Sequence, residues 1–325
     1  MKNLVQKIVT QLLINLLLTL PLVSIGKSLP LRPTSSPYLS GDSFRALADH
    51  RLDRDYHKEY NFSPAKFEQV TKFDPKQVKA GDIVFVDLDV LGKFFQDLLP
   101  QIKHSFILIT HNHDHSAPGK YHAYLDDPKL IAWFSQNPDI TDHPKFYPIP
   151  IGLSNKHWNH SKLHAEKIAT AQQQLRTIKP VKQYLLYANI NVHTCPRVRQ
   201  PVYDFFIKQP FCSWYANRNY ADFLNDLAAA KFVLSPHGNG LDCHRTWEAL
   251  YMGSYPVVKT SALDPLYIDL PVLIVPDWSA VTVELLEQKY QEFSNREFKL
   301  DKLYFDYWQQ LIKQIQANYR TQQQF

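Results

Sequence analysis

Short apolar runs rich in β-branched and aromatic residues alternate along this chain with longer segments whose apolar residues recur every three or four positions. The runs predict buried strands and the longer segments predict amphipathic helices. In the first half the predicted strands are 82–89, 105–110 and 146–151, with helices near 91–102 and 130–135. In the second half the predicted strands are 183–189, 232–235, 255–259 and 272–275. Because such alternation is typical of parallel sheets, we expect an α/β protein with two Rossmann-like domains facing a cleft.

The first 26 residues carry a different pattern, a hydrophobic segment in which Lys2 and Lys7 precede the apolar stretch 8–25. This stretch is close to the shortest length that spans a bilayer as a helix. Small residues from Ser24 to Gly26 stand at the spacing that a signal peptidase recognises. A cleaved signal peptide and an uncleaved single-pass anchor both remain open. Either one predicts a membrane-associated or exported protein.

Further divisions follow along the chain. Residues 27–45 contain three prolines among serines and threonines, a composition typical of a stem or linker. Residues 46–175 hold the first series of strands and predict an N-terminal Rossmann-like domain, and residues 176–300 hold the second series and predict a C-terminal one. Residues 301–325 predict a C-terminal helix, and we expect its apolar face to pack against the first domain.

Composition and charge narrow the class of protein. The 325 residues are 45% hydrophobic and 21% charged, which suits packed cores and excludes extended disorder. The net charge of +5 is dispersed, without the basic stripe typical of nucleic-acid binders, so we expect no nucleic-acid partner. Three cysteines without a CxxC pair do not make a disulfide framework.

The segment 231–248 combines a predicted strand, a glycine-bearing loop and a helix. Glycines such as Gly238 and Gly240 around Asn239 let the backbone approach a phosphate, which amide groups at the helix start then bind. Arg245 in the first helical turn is able to contact a diphosphate with two hydrogen bonds, and Glu248 is placed to accept from ribose hydroxyls. Similar turns also occur only for tight packing, so the residues alone leave phosphate binding and packing as alternatives.

The stretch from Phe232 to Val258 resembles the C-terminal half of the exostosin-like glycosyltransferases, family 47. The shared pattern is a strand ending in Ser-Pro, a glycine loop, Arg245, Glu248 followed by Ala, and then Gly-x-x-Pro-Val. The resemblance implies a GT-B fold with a nucleotide-sugar donor in the C-terminal domain. It also implies inverting transfer that requires no cofactor and no divalent metal. The similarity covers roughly residues 220–280, so it identifies neither the acceptor site nor the catalytic base.

Two further groups of polar residues follow predicted strands. The cluster His111–His115 follows the strand at 105–110, and Asp114 and His111 are our candidates for the base that an inverting transferase needs. Three histidines and an aspartate also suit a metal, which leaves a metal-dependent hydrolase as an alternative. Arg197 and Arg199 follow the strand at 183–189 and are candidates for stabilising a departing diphosphate.

The sequence therefore predicts a glycosyltransferase that moves a sugar from a nucleotide-sugar donor to a hydroxyl of a glycan or lipid-linked acceptor. The residues 46–175 then form the acceptor domain, and the N-terminal segment is the expected contact with a membrane. A catalytically inactive glycan-binding protein on the same fold is a further alternative. The expected donor contacts are Gly238, Asn239, Gly240, Arg245, Glu248, Arg197 and Arg199.

Overall fold

The computed structural model describes residues 37–53, 73–156, 162–178 and 180–323. The hydrophobic segment predicted over residues 1–26 and the first ten residues of the predicted linker lie outside these ranges. A search of the described residues finds no helix with the length and apolar character needed to cross a membrane.

The first sheet has five parallel strands whose spatial order follows the chain. They are β1 (His50–Leu52), β2 (Ile83–Asp87), β3 (Phe106–His111), β4 (Leu130–Ser135) and β5 (Phe146–Pro148). Every residue of β2 and β3 is buried, because both faces of the sheet are covered. One face packs on the helical segment 91–101, and the other packs on helices from the two ends of the described chain. Burial on both faces accounts for the uninterrupted apolar runs in the sequence.

The second sheet also has five parallel strands, but its order departs from the chain. The strands are β6 (Tyr184–Asn189), β7 (Cys212–Tyr215), β8 (Ala230–Leu234), β9 (Tyr255–Lys259) and β10 (Leu273–Val275). In space they run β10-β9-β8-β6-β7. After β7 the chain crosses back over β6 and places β8 on its other side, so the strand order reverses between β6 and β8. In open parallel sheets, ligands bind outside the carboxyl ends of the strands at such a reversal.

Helices complete the two layers: α1 (Gly41–Leu47), α2 (His164–Thr177), α3 (Pro196–Phe206), α4 (Tyr220–Ala229), α5 (His244–Tyr251), α6 (Val283–Asn295) and α7 (Phe305–Gln322). The last of these returns to the first domain. Phe305 and Trp308 pack edge-on against Phe44 of α1. Gln316 Nε2 donates a 2.7 Å hydrogen bond to the main-chain oxygen of Gly81. The two parallel sheets and the cleft between them confirm the predicted GT-B type of architecture, two Rossmann-like domains.

Some local expectations differ from the structure. Residues 130–135 form the strand β4 and not a helix, because five of the six positions are buried and Ile131 is half-buried, a pattern without a helical period. The linker predicted over 27–45 ends before Tyr38, from which point the chain is packed: Leu39 and Phe44 are fully buried. The domain boundary predicted at 175 falls inside α2. That helix packs on the C-terminal domain, where Gln172 Nε2 donates a 2.9 Å hydrogen bond to the main-chain oxygen of Tyr251.

Candidate functional site

A cleft of about 310 Å³ lies between the domains, at the carboxyl ends of β6 and β8, where the strand order reverses. The first domain contributes Asp114 and Ile151 to its wall. The second domain contributes the loop after β6, the loop after β8 and the start of α5. The predicted donor contacts that line it are Arg199, Gly238, Asn239, Gly240, Arg245 and Glu248.

The two glycines of the loop after β8 allow close approach of side chains from both domains. A Cβ atom on Gly238 would lie 2.9 Å from Nη2 of Arg199. A Cβ atom on Gly240 would lie 2.7 Å from Nδ2 of Asn137 and 3.0 Å from Oδ1 of Asp114. Only a residue without a side chain fits at these positions unless the neighbours move. We call residues 235–243 the donor loop.

Arg199 on α3 is buried and its guanidinium group lies against the donor loop. Nε donates a 3.0 Å hydrogen bond to the main-chain oxygen of His237, and Nη1 donates one of 2.9 Å to that of Asn191. Nη2 lies 3.9 Å from Sγ of Cys243. Main-chain oxygens therefore hold the planar group in place without neutralising its charge.

Arg245 in the first turn of α5 adds a second guanidinium group beside the first. Its Nε donates a 3.3 Å hydrogen bond to the main-chain oxygen of Asn189. Its Nη1 is buried and has no hydrogen-bond partner among the described residues. Burial lowers the pKa of Arg245, and the neighbouring Arg199 acts in the same direction. A buried guanidinium nitrogen without a hydrogen-bond partner is costly, so an anion in this cleft would stabilise the site.

Glu248 is the carboxylate nearest to this positive charge within the helix. It lies buried on α5 and accepts a 3.0 Å hydrogen bond from the hydroxyl of Tyr220. Tyr220 in turn stacks on His164 with ring centroids 3.5 Å apart. Burial raises the pKa of Glu248 to about 7. The carboxyl group is therefore partly protonated at neutral pH and offsets the two guanidinium groups only in part.

His111 is the last residue of β3 and is enclosed in the first domain. Its ring stacks on Phe44 with centroids 5.6 Å apart. Nε2 donates to the main-chain oxygen of Pro150 at 3.2 Å, and Nδ1 accepts from the main-chain N–H of Asn112 at 2.8 Å. Burial lowers the pKa of His111 to about 4, so the ring is neutral at pH 7. With both nitrogens bound to the main chain, the ring has no atom left to accept a proton from a substrate.

Asp114 occupies the opposite environment, exposed on the cleft wall and facing Gly240. The rings of His113 and His115 stack on each other, 4.1 Å apart, so the three histidines of the cluster do not converge on one point. Within the described ranges no group of three or more histidine, cysteine or acidic side chains is arranged to hold a metal ion. The geometry of this loop thus offers a carboxylate and lacks the ligand set of the metal-dependent alternative.

Arg197 lies in a neighbouring pocket, apart from Arg199. The two arginines are two positions apart on α3, which is about 200° around a helix of 3.6 residues per turn. The second pocket has a volume of about 610 Å³ and adjoins the donor loop at Ser235 and His237. Its wall combines aromatic and polar side chains, among them Phe205, Tyr267, Trp278, Lys259 and Ser261.

Two residues that the sequence did not single out for the site connect its halves. Asp242 lies two residues after Gly240, and its carboxylate accepts 2.8 Å hydrogen bonds from Ile151 N of the first domain and from Trp247 Nε1. Burial raises the pKa of Asp242 to about 6. Asn137 accepts a hydrogen bond from the main-chain N–H of Asp242 at 2.9 Å. No sequence signal links residues 105 positions apart, so only the fold reveals this pair.

The chain matches no protein-family model and no sequence among the curated proteins. Among solved structures it is similar to an α1,3-fucosyltransferase with GDP-fucose (12% identity, 76% of this chain and 79% of the other, TM-score 0.43). It is also similar to Methanocaldococcus jannaschii UDP-GlcNAc 2-epimerase in complex with UDP-GlcNAc and UDP (13% identity, 68% of this chain and 70% of the other, TM-score 0.33). A third similar structure is the catalytic domain of starch synthase IV from Arabidopsis thaliana bound to ADP and acarbose (11% identity, 74% of this chain and 73% of the other, TM-score 0.33). We infer the chemistry of the cleft from its own residues.

Proposed function

We propose that the cleft binds the diphosphate of a nucleotide-sugar donor and that the protein is a glycosyltransferase. The observation that carries the proposal is the buried Nη1 of Arg245, which has no hydrogen-bond partner in the described part of the chain. It stands beside the guanidinium group of Arg199, and the ion pairs of the described arginines involve other residues, Arg45, Arg218 and Arg320. Two adjacent cations that Glu248 offsets only in part favour a ligand that carries more than one negative charge.

The surroundings of these cations suit a diphosphate. The loop between β8 and α5 approaches without side chains at Gly238 and Gly240, and α5 begins at the cleft, where its dipole favours negative charge. The second pocket adjoins the donor loop and offers Phe205 and Trp278 as apolar surfaces for a nucleoside. We therefore place the nucleoside in the second pocket and the transferred sugar on the side of Asp114.

This placement defines a displacement reaction. An acceptor hydroxyl attacks the anomeric carbon of the sugar while the bond from that carbon to the diphosphate oxygen breaks. The bonding electrons leave with the nucleoside diphosphate, whose charge Arg199 and Arg245 stabilise, and the hydroxyl proton passes to Asp114. Attack from the side opposite the diphosphate inverts the anomeric centre. The positive charge comes from the two arginines, so the proposed reaction requires no divalent metal and no cofactor.

The narrower parts of the proposal rest on the sequence. We propose membership of the exostosin-like glycosyltransferases from the pattern between Phe232 and Val258, which includes Arg245 and Glu248. We propose a glycan or lipid-linked acceptor, and a membrane-associated or exported location, from the hydrophobic segment over residues 1–26.

Thermal unfolding with UDP, GDP and ADP tests the binding step. A ligand present at 100 times its Kd adds about 2.7 kcal/mol to the free energy of unfolding, so we expect a rise in Tm of a few degrees with at least one nucleotide. Arg245→Ala abolishes the rise. Arg176→Ala, an exposed arginine on α2 outside both pockets, is the matched control and retains it. No shift with any of the three nucleotides would contradict the proposal.

Release of nucleoside diphosphate from a panel of UDP-linked and GDP-linked hexoses tests the chemical step. We expect slow hydrolysis of at least one member without an added acceptor, since water enters an exposed cleft. Nucleotide binding without hydrolysis or transfer would instead favour the catalytically inactive glycan-binding alternative.

A further inference from the structure

Asn137 contacts both halves of the cleft with one buried side chain. It follows β4 at the carboxyl edge of the first sheet and is 1% exposed. Its Oδ1 accepts a 2.9 Å hydrogen bond from the main-chain N–H of Asp242 in the donor loop. Its Nδ2 donates one of 3.1 Å to the main-chain oxygen of His113, the residue before Asp114. A single amide group thus joins the loop that carries Asp114 to the donor loop.

The backbone around this amide is shaped to present it. Asn137 has φ of +52°, in the left-handed region that asparagine tolerates better than most residues. Its main-chain oxygen accepts a 3.0 Å hydrogen bond from Ala117 N, which ties it to the segment after the histidine cluster. The preceding residue, Gln136, also donates through Nε2 to the oxygen of His113. That one oxygen therefore receives two side-chain donors, and the position of the Asp114 loop is set from β4.

The donor side of the contact is equally constrained. Asp242 Oδ2 accepts from Ile151 N and from Trp247 Nε1, and Oδ1 accepts a 2.8 Å hydrogen bond from Cys243 N. The lack of a side chain at Gly240 leaves the space that the Asn137 amide and the Asp114 carboxylate occupy. These contacts hold the end of the donor loop at a defined distance from the first domain.

We infer that Asn137 is a positioning residue that sets the separation between the Asp114 carboxylate and the donor loop. The inference rests on the proposed function, because it concerns the alignment of the base with the bound donor. Asn137 acts through the oxygen of His113 and the N–H of Asp242. A displacement of about 1 Å in such an arrangement reduces a rate by roughly 10²-fold. The guanidinium groups of Arg199 and Arg245 belong to the second domain, where their hydrogen bonds go to the main-chain oxygens of residues 189, 191 and 237.

Asn137→Gly tests the inference, because glycine accepts the left-handed backbone and removes only the amide. We expect kcat for release of nucleoside diphosphate from the hexose donors to fall by roughly 10-fold to 100-fold. The Kd for UDP or GDP changes by less than about threefold. The control is Asn217→Gly, an exposed asparagine with φ of +56° outside the cleft, which changes neither quantity.

A double-mutant cycle with Gly240→Ala asks whether the contact itself matters. In the wild type the added Cβ meets Nδ2 of Asn137, whereas in the Asn137→Gly background that clash is absent. Gly240→Ala should therefore reduce kcat by a smaller factor in the Asn137→Gly background. If Asn137→Gly does not fold, Asn137→Asp keeps the acceptor for Asp242 N and turns an oxygen toward His113 O, and the same fall in kcat is expected.

Three results would overturn the inference: an unchanged kcat in Asn137→Gly or Asn137→Asp, a Kd that rises as much as kcat falls, or equal costs of Gly240→Ala in both backgrounds. A wild-type protein that binds no nucleoside diphosphate would overturn the proposed function instead. The two failures are therefore distinguishable.

Discussion

Two polar loops face each other across the cleft, one that begins with the last residue of β3 (residues 111–115) and the donor loop after β8, and their structures are opposite in kind. The donor loop lacks side chains at Gly238 and Gly240, where side chains of both domains come close, and Arg199 and Arg245 line the cleft beside it. The loop after β3 binds its one buried ring, His111, to the main chain and leaves Asp114 exposed. The second domain thus offers buried positive charge, whereas the first offers an accessible carboxylate.

The sheet topologies explain this difference. The strand order of the second sheet reverses between β6 and β8, so the loops after these strands diverge and leave a crevice between them. The described strands of the first sheet follow the order of the chain, so successive loops lie side by side. We therefore expect the second domain to provide the affinity for the donor and the first to provide the proton transfer.

Asp114→Asn is the variant with the largest expected effect, and it tests whether the first domain provides the proton transfer. Removal of a general base lowers a rate by roughly 10²-fold to 10⁴-fold, so we expect the release of nucleoside diphosphate from the hexose donors to fall by that factor. The rise in Tm with UDP or GDP should remain, because the variant leaves the second domain unchanged. His115→Gln, an exposed neighbour in the same loop, is the control with wild-type activity. Full activity in Asp114→Asn would mean that the first domain supplies no base through this residue.

The pH dependence of stability sharpens the comparison, because buried groups beside the two loops, His111 at the end of β3 and Glu248 on α5, have pKa values shifted in opposite directions. Burial lowers the pKa of His111 from 6.5 to about 4, so its contribution to the free energy of unfolding is lost as pH falls through that window. Burial raises the pKa of Glu248 from 4.5 to about 7, so its contribution is lost as pH rises from 4.5 to 7.

Urea denaturation of wild type and His111→Gln between pH 7 and pH 4 measures the first effect. We expect the variant to lose less stability than the wild type over this range, by about 3 kcal/mol at most. Glu248→Gln should change the slope in the opposite direction. Parallel curves for wild type and His111→Gln would show that the buried ring does not titrate differently in the two states.

A smaller effect separates the two arginines of α3. Arg199→Lys keeps the charge and loses the planar fork, so we expect the Kd for UDP or GDP to rise by about tenfold. Arg197→Lys, on the opposite side of the helix, should raise it by less than about threefold. Isothermal titration calorimetry of both variants with UDP or GDP measures these Kd values. Equal losses would argue against the assignment of the diphosphate to the cleft beside Gly238.

Much of the fold was predictable because buried strands and amphipathic helices have regular patterns of hydrophobic residues in the sequence. The runs that predicted strands at 105–110, 183–189 and 255–259 correspond to β3, β6 and β9 within one residue at either end. The prediction was wrong at β4, where burial on both faces removes any period, and it missed β1 and β7, which have three and four residues. Short strands are decided by their partners in the sheet, and those partners are distant in sequence.

The candidate site divides in the same way. The strand, glycine loop and helix between Lys231 and Glu248 are contiguous, so their local order was evident without a structure. Which arginine of α3 enters the cleft followed from the helix phase relative to β6. The enclosure of His111 followed from the packing of Phe44 and the position of Pro150. Neither property is visible in a list of polar residues after a strand.

By itself the sequence determined two series of parallel strands and a contiguous loop able to approach an anion, because backbone propensity and burial act over a few neighbouring residues. Only the tertiary structure decided that Arg199 and Arg245 stand together, that Asp114 faces Gly240, and that Asn137 joins the two loops. The physical reason is that charge, desolvation and hydrogen bonding depend on distance in space. The chain brings residues 137 and 242 into contact only when both sheets have formed.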